Sequence, residues 1–166
     1  MTSTAFPSTA ARAVGRIPSG LFVLGLATRA GREGVLVSWV QQASFVPLMI
    51  SIAIRADRPI HAALTPGTRF VLNQLAAGQG ELVRRFARSR PEGEDDFEGV
   101  ALSDDARHRP WGGPVLADAV AVLHLEVVTA VTGGDHAVVI ARVLDGDVRD
   151  SQAEPLVHLR KNGSHY

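Results

Sequence analysis

Two runs late in the chain, "AVAVLHLEVVTAV" and "HAVVIARVLDGDV", are separated only by "TGGD". No other feature constrains the fold as strongly. In the first run Ala121, Leu123, Leu125 and Val127 fall on one face, and Val122, His124, Glu126 and Val128 on the other. That period of two is what a pleated strand imposes. The second run is rich in valine and isoleucine, which favour half-buried sheet surface. Gly133-Gly134 in the connection predicts a tight hairpin turn. "DGD" at Asp145 to Asp147 reads as a further turn signal.

The rest of the chain repeats the theme in shorter pieces. "GLFVLGLAT" (Gly20 to Thr28), "GVLVSWV", "LMISIAIR" and "RFVLNQLA" (Arg69 to Ala76) read as strands. Pro47 marks the start of "LMISIAIR" rather than its interior. "DRPIHAALTPG" predicts a short helix, with Pro59 at its first position and Pro66-Gly67 ending it. "GQGELVRRFAR" predicts a second, with Leu82, Val83 and Phe86 on one face. "PLVHLRKNGSHY" supplies a last strand and a polar tail. Between the second helix and the long hairpin lies a charged, Gly- and Pro-rich loop from Ser89 to Pro114, and its Asp95-Asp96 pair reads as solvated. Strands without regular βαβ alternation predict an antiparallel barrel or sandwich with short peripheral helices. A length of 166 residues suits one domain. Residues 1–16 read as a flexible N-terminal arm and 17–166 as the domain.

Several function classes are excluded or disfavoured. The chain has no cysteine, which removes disulfides, thiolate catalysis and cysteine-ligated metals. Seventeen basic residues balance seventeen acidic ones, which gives no support to a broad nucleic-acid footprint. The six histidines make no H-E-x-x-H or similar spacing, so no metal site is expected. No G-x-S-x-G elbow, no phosphate loop and no G-x-G-x-x-G after a strand occurs. No apolar run reaches membrane-spanning length, so the chain reads as soluble and cytoplasmic.

One stretch breaks the pattern. In "GVLVSWVQQASFVPLMISIAIR", two apolar strands are interrupted by Ser38, Trp39, Gln41, Gln42 and Ser44. Hydroxyls and backbone amides at a strand end can surround a phosphate with neutral donors. Arg55 and Arg58, just beyond the next strand, could add charge-assisted bonds. The plainer reading is a capped connection with two surface arginines. Trp39 could stack on a planar ligand or fill the core, and Trp111 could be a lid, a dimer contact or core. Asn73, inside an apolar strand, must bond either a neighbouring loop or a ligand. His136, after Gly133, Gly134 and Asp135, is either a solvated turn residue or a group that orients or stabilises charge near neutral pH.

These residues carry a resemblance. "GLFVLGLAT", "GVLVSWVQQASFVPLMISIAIR", "RFVLNQLA", "GGDHAVVIARV" and "PLVHLRKNGSHY", in this order, resemble the flavin reductase-like family over roughly residues 17 to 166. The likeness extends to the flavin reductase domain at the end of cyanobacterial diflavin flavoproteins, through "SWVQQASFVP", "GDH" and the terminal "HY". Their diiron and flavodoxin-like modules have no counterpart in this sequence. The resemblance implies a mainly β, FMN-binding antiparallel split β-barrel.

It also implies roles. Val37, Ser38, Trp39 and Val40 would border the isoalloxazine, while Ser38, Ala43, Ser44 and nearby backbone amides would hold the ribityl-phosphate arm. Arg58 would be the phosphate counter-charge, Asn73 would lie near the ribityl or ring edge, and Tyr166 near the flavin or a dimer interface. His136 would be the catalytic turn histidine on the nicotinamide side. The implied activity is hydride transfer from NADH or NADPH to FMN or FAD in a homodimer, with reduced flavin available to a flavin-dependent monooxygenase. A flavin-binding or electron-transfer module without turnover, and a structural domain with a decayed site, are the alternatives.

Overall fold

The computed structural model describes residues 8–29, 31–88, 94–105, 107 and 112–160. Trp111 and Tyr166 lie outside the described residues. Helix α1 (Thr9–Val14) and the two-residue strand β1 (Ser19–Gly20) precede β2 (Phe22–Ala27), β3 (Arg32–Val37), β4 (Val40–Phe45) and β5 (Leu48–Arg55). Then come α2 (Pro59–Ala63), β6 (Arg69–Gln74), α3 (Gly80–Phe86), β7 (Ala121–Gly133), β8 (His136–Val148) and β9 (Val157–His158).

Seven strands form one antiparallel sheet in the order β3-β2-β6-β7-β8-β5-β4, while β1 pairs with β9 beside it. The sheet's two edge strands, β3 and β4, are consecutive in the chain. Only Ser38 and Trp39 separate them, so the sheet must curl until its edges meet at that link. The edges are not laddered together, and the barrel remains split. The Trp39 carbonyl accepts from the Ala53 amide of β5 at 2.9 Å, which extends the β4–β5 ladder into the link.

Alternation along the strands makes two cores. Leu24, Leu26, Val35, Val37, Ile50, Ile52, Ile54, Phe70, Leu72, Leu125, Val127 and Val139 fill the inside of the curl. Val23, Val71 and Val122, facing the other way, pack with Phe86, Phe97, Val115 and Leu116 from α3 and the long loop. Gly34 makes this second layer possible. A Cβ there would lie 2.6 Å from Phe86 Cε1 and 2.7 Å from Phe97 Cε2. The two rings, 4.9 Å apart, occupy the space a side chain would need.

Four expectations change. The segment read as a polar interruption is itself a strand: β4 pairs with β5, with a register shift between Gln42 and Ser44. An exposed edge strand buries little, so its sequence shows no apolar alternation. The "DGD" turn signal lies inside β8, where Asp145 faces His124 and Asp147 faces Val122. A register shift at His124/Leu125 absorbs one extra residue there instead of reversing the chain. The reversal between β7 and β8 falls on Gly134-Asp135, with Gly134 at φ +81°, a conformation glycine adopts without strain. The N-terminal arm contains α1, capped by Ser8 Oγ accepting from the Ala11 amide at 3.1 Å.

Asp95 and Asp96 are not a solvated pair. Arg32 Nε donates to Asp95 Oδ1 and Oδ2 at 3.1 and 3.0 Å, and its Nη2 closes the fork on Oδ2. Asp96 Oδ2 accepts from the Gly34 amide at 2.8 Å. Arg85 donates to the carbonyls of Asp96 and Glu98 at 2.9 and 2.6 Å. The acidic turn is thus strapped to β3 and α3, and it seats Phe97 in the second core.

Candidate functional site

Five segments converge at the seam: the β3–β4 link, the end of β5, the β7–β8 turn, the residue after α1 and the tail after β9. Pairing through β5 brings Trp39 to the β7–β8 turn: Trp39 bonds to Ala53, and two residues on, Arg55 stands opposite His136. The rings of Trp39 and His136 lie 4.6 Å apart, centroid to centroid, inclined at 42°. His136 Nδ1 is 2.8 Å from Asp135 Oδ1. With Nδ1–H donating to that carboxylate, Nε2 keeps its acceptor lone pair. The His136 side chain is only 14 % exposed against 85 % for Asp135, so the histidine is not a solvated turn residue.

The Asp135 carboxyl is held below the usual carboxylate value, first by its bond to His136 and then by the positive charge that ring carries whenever it is protonated. The Asp135 carbonyl accepts from the Ala56 amide at 3.0 Å, which fixes the turn against the end of β5. Arg55 forks onto Asp57, with Nε to Oδ1 at 3.0 Å and Nη2 to Oδ2 at 2.5 Å. That bond, foremost, lowers the Asp57 carboxyl.

Ser38 is buried at the other side of the link, and its Oγ accepts from Arg160 Nη2 at 2.8 Å. The Arg160 guanidinium carbon lies 4.7 Å from the centroid of the Trp39 ring, a cation–π distance. Arg160 is itself buried. Neither it nor Asp135 was singled out from the sequence as a site residue. Nothing local marks "LRK", and 122 residues separate Arg160 from Ser38.

The remaining expected residues divide. Val37 and Val40 point into the inner core, so what they offer a ligand is backbone. Ala43 is exposed at the register shift of β4, and Ser44, half-buried, stands opposite Met49. Arg58 caps the start of α2, and its Nη2 donates to the Ala87 carbonyl at 2.9 Å, which ties it to the end of α3.

Asn73 requires a correction as a ligand contact. It is fully buried, its Nδ2 donates to the carbonyls of Val23 and Pro114 at 3.2 Å each, and its Oδ1 accepts from the Leu116 amide at 2.9 Å. Both amide hydrogens and the oxygen are used inside the protein, so the side chain pins the long loop to β6 and has no surface for a ligand. A shallow cleft of about 550 Å³ beside α3, lined by Gln79, Glu81, Leu82 and Asp118 among others, shares no residue with the seam.

The chemistry of the seam suits a flat, polar-armed molecule. Trp39 and His136 supply aromatic surface. Ser44, the exposed Gln41 and Gln42 side chains and the outer edge of β4 offer neutral donors, a set that suits a polyol or phosphate. Among the described residues, no group of three or more acidic or histidine side chains could hold a metal ion. No helix of the described residues is long and apolar enough to cross a membrane.

Comparison with known proteins agrees with this chemistry. A family model described as a flavin reductase like domain matches residues 14–164. Putative diflavin flavoprotein A 3 of Nostoc sp. is 40 % identical over 156 residues, covering 93 % of this chain and 26 % of that protein. Diflavin flavoprotein A 1 of Synechocystis sp. is 36 % identical over 156 residues, with coverage of 93 % and 26 %. The chain thus spans 26 % of the length of these relatives. Among solved structures, the NADH:FAD oxidoreductase SgcE6 of Streptomyces globisporus C-1027 superposes with a TM-score of 0.80 at 27 % identity, covering 93 % of this chain and 88 % of that one. The styrene monooxygenase flavin reductase of Pseudomonas putida S12 gives a TM-score of 0.74 at 25 % identity, covering 93 % and 94 %.

Proposed function

The chain belongs to the flavin reductase-like family, and from that premise we propose that it is an NAD(P)H:flavin oxidoreductase acting at the β3–β4 seam. The observation that carries this reading is the contact between Trp39 and His136. It sets a histidine at the start of the interior strand β8 against the link that joins the two edge strands. Bound flavin, FMN or FAD, supplies the hydride-accepting chemistry, and reduced nicotinamide supplies the hydride.

The protein's own part is placement. Val37 to Val40 line the ring with backbone and indole, and Ala43, Ser44 and the edge amides of β4 hold the arm. Arg58 would be the counter-charge for a phosphate, its guanidinium held in place by the bond to the Ala87 carbonyl. His136 orients the nicotinamide end while Asp135 fixes its tautomer.

We propose further that the protein is a cytoplasmic homodimer. Phe45 and Val46, at the β4–β5 tip, are 81 % and 92 % exposed, and Leu48 extends the patch. Apolar surface of this kind favours a self-complementary contact. By analogy with the neighbour named as the reductase of styrene monooxygenase, reduced flavin would pass to a flavin-dependent monooxygenase.

The second reading is a flavin-binding or electron-transfer module without turnover, because a seam that holds flavin does not by itself require a nicotinamide site. Anaerobic mixing of FMN-loaded protein with NADH, followed at about 450 nm, separates the two. Prompt bleaching is expected. Flavin that stays oxidised with both NADH and NADPH would overturn the reductase in favour of the carrier.

A further inference from the structure

We infer that Arg160 is a positioning residue of the seam, an inference that rests on the flavin-site reading above. The tail is carried there by a continuous series of backbone bonds. The Leu156 amide donates to the Leu75 carbonyl at 2.8 Å, and the Leu21 amide to the Leu156 carbonyl at 3.0 Å. β9 then pairs with β1, Val157 opposite Gly20 and His158 opposite Ser19. Two residues later the Arg160 amide donates to the Gly15 carbonyl at 3.2 Å, at the end of α1. Held at both ends, the side chain enters the buried space behind Trp39.

There the guanidinium acts on two groups at once. Its Nη2 donates to Ser38 Oγ, which makes that oxygen an acceptor and leaves the hydroxyl hydrogen to donate elsewhere. Its central carbon lies over the Trp39 ring, whose neighbour is the His136 imidazole. Arg160, Trp39, His136 and Asp135 therefore form one series of contacts from the buried tail to the exposed turn. A planar cation suits this geometry better than an ammonium, because it stacks and donates in a fixed fork. Arg160 need not touch a ligand. It sets the direction of the Ser38 hydroxyl and the tilt of the indole against which the ligand lies.

The inference predicts coupling between Arg160 and Trp39 in ligand binding. The probe is FMN, with its dissociation constant read from quenching of flavin fluorescence, so turnover is not needed. Arg160→Met should weaken FMN binding by roughly tenfold in the wild-type background and less than twofold in a Trp39→Phe background, the non-additivity that contacting residues show. Arg160→Lys, which keeps the charge but loses the fork, should recover only part of the loss. It also serves as the test if the methionine variant fails to fold. The near-ultraviolet circular dichroism of the indole, recorded without flavin, should change in Arg160→Met.

Equal weakening in both backgrounds, or full recovery by lysine, would overturn the positioning role. Wild-type protein that binds no FMN would overturn it together with the site. Binding without turnover would count against the reductase reading alone, and the coupling would still decide the role of Arg160.

Discussion

The Trp39 and His136 rings stand 4.6 Å apart although their segments lie at opposite ends of the sheet's chain path. Trp39 belongs to the link that bridges the sheet's edges, and His136 begins the strand paired with β5. The contact exists because β5 carries both, through the Ala53 amide to Trp39 and the Arg55–His136 pair.

If His136 orients the nicotinamide, removing it should affect turnover more than flavin binding. His136→Ala is expected to lower kcat/KM for NADH by roughly 10- to 100-fold, the scale of a misplaced reactant, with FMN affinity changed less than threefold or so. Steady-state rates at saturating FMN check this. Equal rates for variant and wild type would rule the role out.

Asn73 should matter to stability and not to affinity. Asn73→Ala leaves the Leu116 amide and the Val23 and Pro114 carbonyls without their buried partner. The expected cost is about 2–4 kcal/mol, measured by urea unfolding. The folded fraction should still bind FMN normally. An unchanged midpoint with weaker FMN binding would restore Asn73 as a ligand contact.

The Arg32–Asp95 fork gives a pH dependence of known sign. The bond to Arg32, foremost, holds the Asp95 carboxyl below its ordinary value. A carboxylate with a depressed folded-state pKa stabilises the fold above its unfolded value, about 3.9, and that contribution is lost as pH falls through the folded value. The melting temperature of wild type should therefore exceed that of Asp95→Asn by a constant amount between about pH 5 and 7, and the gap should close below about pH 4. Partial exposure of both side chains keeps the gap small. A gap that widens on acidification would contradict the assignment.

The apolar tip of the β4–β5 hairpin makes assembly testable. Wild-type protein is expected to elute as a dimer at micromolar concentration, and the Phe45→Asp/Val46→Asp variant as a monomer with unchanged far-ultraviolet circular dichroism. Both residues are exposed in the single chain, so their replacement should not disturb its core. A wild-type monomer at that concentration would refute the dimer.

Local rules reach a definite distance into this protein. Alternation in β5, β7 and β8, Pro59 at a helix start and Pro66-Gly67 after its end depend on neighbours in the chain, and those elements could be read directly. The family could be read too, because "SWVQQASF" and "GDH" stand at their expected places in the chain. β4 could not be read as a strand, since an edge strand with little burial carries no apolar period.

The partners of the polar residues lay beyond local rules altogether. Whether Asn73 bonds a loop or a ligand depends on where Pro114 and Leu116 come to rest. Whether Trp39 is core or stacking surface depends on Arg160, whose approach requires the tail to return along β1. Local pattern was enough for most of the strands, the β7–β8 hairpin and the family to which they belong. Which side chains meet at the seam was settled in three dimensions, because hydrogen bonds and ring contacts act over a few ångströms of space, and strand pairing with the return of the tail brings together groups that no pattern of adjacent residues records.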